Sequence, residues 1–162
     1  MATPNPALQI TEEISNLQSR INSLQESVQL IKVRDAVEDV QTTVKGMAQR
    51  ILSLRTRGYV FEKDLEAQAQ ALVESWALLY PNLQSQINLQ SSSLVSSLRP
   101  IELQMPQLAS IAGNPAVARG LLTSLQSAVD QVESKVTAAG KTIEGMYDQF
   151  NNQVYDATKH LN

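Results

Sequence analysis

Apolar residues recur along this chain at alternating intervals of four and three, and that spacing constrains the fold more than any other feature. Ile10, Ile14, Leu17, Ile21, Leu24, Val28 and Ile31 form a first series, separated mostly by Thr, Glu, Ser, Asn, Gln and Arg. Such steps keep one side of a helix apolar with a 3.5-residue period, the seam of a coiled coil. Asn5-Pro6 supplies a start, Asn as cap and Pro at the first helical position.

A second series, Val33, Val37, Val40, Val44, Met47, Ile51 and Leu54, keeps the same steps but is displaced by two residues. At about 100° per residue the displacement turns the stripe by roughly 200°. The join "IKVRDAVED" has no Gly or Pro. One continuous helix whose sticky side changes at that point is therefore expected. It ends at "RTRGY", where Gly58 suits a left-handed cap and Arg50, Arg55 and Arg57 meet the negative end of the dipole.

The next pass carries Leu65, Ala69, Leu72, Trp76 and Leu79 on one face. Pro81 removes a backbone donor, so a kink or break is expected there. Helix resumes through Leu83, Ile87, Leu94 and Leu98, and residues 99–114, with two prolines and a glycine, read as an irregular connection. Asn114-Pro115 then repeats the cap-plus-proline start. Leu122, Leu125, Val129, Val132, Val136, Ala139, Ile143, Met146 and Phe150 continue without a miss, and the stripe drifts on to Val154, Ala157 and Leu161. The expectation is a single all-α domain over 1–162: an elongated up-down-up bundle with coiled-coil packing. Its three long passes cover about 6–57, 62–98 and 115–161, the middle one kinked or broken near Pro81. Arg34-Asp35, Pro81 and Gly140 are the places where a pass can fold back.

Composition narrows the function classes. Aromatics are only 4% of residues, so the core is aliphatic, and a net charge of −3 with no clustered basic face argues against nucleic acid. Cysteine is absent, which excludes disulfides, thiolate zinc sites and a cysteine nucleophile. No signal peptide or membrane-spanning run is visible, so a cytoplasmic or otherwise soluble protein is expected.

The stretch "KVTAAGKT" at 135–142 ends like a phosphate loop, but Lys135 stands where the first glycine belongs and the helical stripe runs through it. It reads as helix interior. Ala138, Ala139, Gly140 and Gly145 then read as small residues that admit a close neighbour, Trp76 being the bulky candidate. His160 and Asp156, four residues apart, form at most half a metal or acid–base site near a fraying end. The acidic groups Asp35/Glu38/Asp39 and Glu62/Asp64/Glu66 match neither calcium-loop nor di-iron patterns and read as solvated faces. The three arginines are accounted for by the helix end. Trp76 with Tyr80, and Tyr147 with Phe150 and Tyr155, read as core packing before a ligand slot. Serines lack a positioned base.

No catalytic, cofactor-binding or metal-binding residue is therefore assigned, and no enzymatic role is expected. The narrow stripes are helix–helix contacts, each wide enough for one neighbour. The expectation is an interaction module that self-associates or docks a helical partner, with Val33, Val37, Val40, Val44, Met47 and Ile51 as the interaction seam. The alternative is an amphipathic bundle that opens onto lipid, which the sparse lysine of the polar faces disfavours.

Overall fold

The computed structural model describes residues 6–58, 60 and 63–161, and for 63–65, 160 and 161 the backbone alone. Four helices account for nearly all of them: α1 (Pro6–Ser27), α2 (Ile31–Thr56), α3 (Lys63–Ser110) and α4 (Pro115–Leu161). No strand occurs among the described residues. The protein is an all-α bundle. Tertiary contacts group the chain into two units. Unit 1 takes α1, α3 from Gln90 onward and α4 as far as Ala139; unit 2 takes α2, α3 up to Leu89 and α4 from Gly140.

In unit 1 the core is the α1 stripe (Ile10, Leu17, Ile21, Leu24) with Val28 just beyond it, together with Leu94, Leu98, Ile101, Met105 and Leu108 of α3 and Leu122, Leu125, Val129 and Val132 of α4. Polar links tie the rim. Arg20 of α1 pairs with both Asp130 and Glu133 of α4, and Arg119 Nη1 donates to Glu13 Oε2 at 2.6 Å. Beside these two carboxylates the Arg20 guanidinium is pushed up from its usual value, the Asp130 hydrogen bond contributing most. In unit 2 the core is Val37, Val40, Val44, Met47 and Ile51 of α2, with Ala69, Trp76, Leu83 and Ile87 of α3 and Ile143, Phe150 and Val154 of α4.

Helix ends follow local chemistry. Gly58 adopts φ 81° and its N–H donates to Arg55 O at 2.9 Å, the left-handed cap expected after α2. Asn114 O accepts the N–H groups of Val117 at 3.1 Å and Ala118 at 2.9 Å, so α4 begins at Pro115 as the sequence indicates. Pro6 is the first residue of α1; Asn5, expected as its cap, lies outside the described residues.

Three expectations fail. The first pass is not continuous: Val28, Gln29 and Leu30 form a turn, with Leu30 at φ 54°. The displacement between the two stripes is taken up there by one left-handed residue. In consequence Leu30, expected off the stripe, is 5% exposed, and Ile31, expected on it, is 52% exposed. Second, of the kink or break expected at Pro81 the break does not occur, since α3 runs helical through it. Third, 99–110 is helix, and the connection shrinks to the four residues 111–114. Pro81, Pro100 and Pro106 all lie on the water side of α3. There the carbonyls they leave unbonded can be solvated, while Leu83, Leu98, Ile101, Met105 and Leu108 are buried opposite. A proline in a helix interior costs about 3 kcal/mol, and burial of two such side chains offsets it.

Candidate functional site

Five members of the expected seam, Val37, Val40, Val44, Met47 and Ile51, are buried in unit 2, and Val33 is half-buried. The chain's own helices cover them. Met47 and Ile51 pack with Ala69, flanked by Leu72, Val73 and Ala157. The seam is thus an internal contact of α2, and a partner approaching this structure meets other residues.

Aromatic residues centre unit 2. Trp76 stacks on Phe150 with ring centroids 5.1 Å apart and planes at 30°, and meets Tyr80 at 5.6 Å and 37°. Its Nε1–H donates to Gln41 Oε1, and the Tyr80 hydroxyl donates to the Glu38 carboxylate. That hydrogen bond, with desolvation and the Glu38 charge adding, raises the Tyr80 phenol above its usual range. Burial, then Glu144 and Asp148, raises Tyr147. Tyr155, grouped with these aromatics in the sequence, is exposed, with Lys159 Nζ 4.8 Å from its ring centre.

Two grooves open to solvent flank this cluster. One of about 330 Å³ lies between α2 and α3, lined by Val44, Lys45, Val73, Trp76 and Tyr80. The other, about 470 Å³, lies between α3 and α4 and includes Gln68, Ser75, Gln153 and Asp156. Among the described residues every buried side-chain nitrogen or oxygen has a hydrogen-bond partner, and no three His, Asp or Glu come together as metal ligands.

The remaining sequence candidates are dispersed. Residues 135–142 lie inside α4, so the amides of "AAGKT" belong to a helix. An added Cβ at Gly140 would meet only Val33 Cγ2, at an ordinary 3.8 Å, and at Gly145 nothing within 4 Å. Close approach by Trp76 therefore does not explain these glycines. Arg55 pairs with Glu66 across α2 and α3, while Arg50 and Arg57 are exposed. Asp35, Glu38 and Asp39 are exposed as well. Glu62 and the side chains of Asp64 and His160 lie outside the described residues.

The outer side of α3 is the feature that periodicity did not single out. In unit 2 it presents Leu78 and Leu89, 82% and 64% exposed, with exposed Asn82 and Ser85 between them. Eleven residues return a helix to within roughly 20° of its starting direction, so the two leucines share a line. In unit 1 the same helix exposes Leu103. A signal was present: no Asp, Glu, Lys or Arg occurs between Glu74 and Arg99. A water-facing helix surface without charge is unusual, and depletion of charge marks the centre of protein interfaces. No described helix is long and apolar enough to cross a membrane. Comparison with protein-family models, curated proteins and solved structures finds no match to this chain.

Proposed function

We propose that the protein is a non-enzymatic interaction module: an up-down-up bundle packed along heptad seams in the manner of a coiled coil, which pairs with another helix. That helix is α3 of a second copy; a helical partner of another sequence would use the same surface. The uncharged outer line of α3 at Leu78, Asn82, Ser85 and Leu89 carries the proposal. Leucine there gains nothing from the protein's own core, and a contacting helix would remove it from water at about 25 cal/mol per Å². The α2 seam from Val33 to Ile51 has the separate task of holding unit 2 together.

The test is the solution mass, by size exclusion with light scattering, of the native chain and of Leu78→Glu/Leu89→Glu. Both positions are exposed, so the double variant keeps its helix content, surface changes costing about 0.5 kcal/mol or less. The native chain should exceed its monomer mass of 17.8 kDa and the variant should fall back to it. A native chain that stays monomeric at high concentration, or a variant of unchanged mass, defeats the proposal.

A further inference from the structure

We propose that the groove between α2 and α3 binds a short aliphatic monocarboxylate, its head held by Lys45 and Gln41 and its body against the apolar lining. The groove lies wholly within unit 2 and uses none of Leu78, Asn82, Ser85 or Leu89, so it is independent of the pairing surface on α3. About 330 Å³ is open there, at the small end of the range that ligand pockets occupy.

Hydrogen bonding decides which polar atoms the groove can offer. Trp76 Nε1–H donates to Gln41 Oε1. An indole N–H is a donor only, so this contact fixes the amide with its oxygen engaged and its Nε2 hydrogens left over. Lys45 stands four residues further along α2, which places it on the same face with Cβ atoms about 5–6 Å apart. No carboxylate pairs with Lys45 among the described residues, whereas Arg20, Arg55 and Arg119 each have one. The Tyr80 hydroxyl, the other polar tip of the lining, already donates to Glu38. Two donors one turn apart, one of them charged, match the two oxygens of a carboxylate. An amine would meet the same donors and gain nothing.

The rest of the lining is Val44 and Ala48 of α2 with Val73, Trp76 and Ala77 of α3. Hydrocarbon laid against these groups leaves water, which supplies the affinity, while the donors fix the orientation. From Gln41 to Ala48 the helix advances about 10 Å. That length suits a short chain and not a long-chain lipid. Glu38 is outside the lining, one turn beyond Gln41, and its charge keeps the anionic head toward Lys45.

Octanoate is the probe, titrated into the isotope-labelled full chain and followed by amide NMR. The Gln41 side-chain amide and the Trp76 indole N–H should shift saturably, with a Kd on the order of 1 mM for so few atoms. Lys45→Met, at an exposed position, should weaken binding about tenfold, the factor of one charge-assisted hydrogen bond. Gln41→Glu keeps an acceptor for the indole N–H but replaces the free donors with a charge, and should weaken binding at least as much. Ala77→Phe, also at an exposed position, should fill the groove and abolish the shifts. Octylamine should leave the native chain unshifted. No saturable shift at about ten times the expected Kd, an equal response to octylamine, or a Kd unmoved by Lys45→Met would each overturn the proposal. So would binding that survives Ala77→Phe, because the ligand would then lie elsewhere. If Gln41→Glu does not fold, Lys45→Met and octylamine decide the matter alone.

Discussion

Truncation of Phe150 to alanine tests whether the aromatic stack organises unit 2. Phe150 is 9% exposed and faces Trp76 at 5.1 Å. Core Phe→Ala changes cost about 3–5 kcal/mol, the lower end where neighbours can collapse into the space. Phe150 lies toward the end of α4, so about 3 kcal/mol is expected, of which about 0.5–1.5 kcal/mol belongs to the ring pair itself. Phe150→Leu keeps most of the apolar volume and loses mainly the ring term, about 1 kcal/mol. Urea unfolding followed by tryptophan fluorescence measures both, because Trp76 is the chain's only tryptophan and sits in the stack. With a slope of about 2 kcal/mol per molar urea, the midpoint should fall by about 1.5 M for alanine and about 0.5 M for leucine. A shift below about 0.5 M for alanine would refute the reasoning, since it would mean that Phe150 has no packed neighbour to lose.

Glycines separate backbone freedom from space. Neither Gly46 nor Gly58 has a neighbour within 4 Å of an added Cβ, but only Gly58 has positive φ. Gly46→Ala, inside α2, should stabilise by about 0.5–1 kcal/mol and Gly58→Ala should destabilise by about 1 kcal/mol, read as opposite shifts in melting temperature. At alkaline pH the raised Tyr80 phenol means that the folded chain favours the neutral form. Its contribution is complete below the unfolded value near 10 and is lost as pH rises through the higher folded value. Urea midpoints measured from pH 8 upward should therefore decline less for Tyr80→Phe than for the native chain, and parallel curves would show that the Glu38 hydrogen bond is not made in solution.

Much of the fold was legible because a helix buries side chains by a local rule. The α4 stripe from Leu122 to Phe150 and the α2 stripe from Val37 to Ile51 are buried or half-buried at every expected position. The helix ends at Gly58 and Pro115 follow from single residues whose conformational range is narrow or unusually wide. Prolines misled because their cost depends on which side of the helix they face. Pro81, Pro100 and Pro106 read as breaks, yet each falls on the water side of α3.

The candidate surface was harder to see. A stripe announces an apolar contact without saying whose helix makes it, so the α2 seam looked available to a partner while the chain itself occupies it. Val44→Asp would place a charge in a buried core position and destabilise unit 2. The outer line of α3 has the opposite character. Its leucines are too sparse to form a stripe, and their exposure becomes visible only once the other faces of α3 are packed.

Local chemistry by itself determined that this chain is helical, which side of most helices turns inward, and where α2 ends and α4 begins, since each depends on contacts within about one turn. Tertiary structure alone decided the break at Leu30, the unbroken course of α3 and the burial of Ser91. The physical reason is the same in each case: a left-handed leucine, a helical proline and a buried hydroxyl are all locally unfavourable, and only neighbours distant in sequence supply the burial or the hydrogen bond that offsets them.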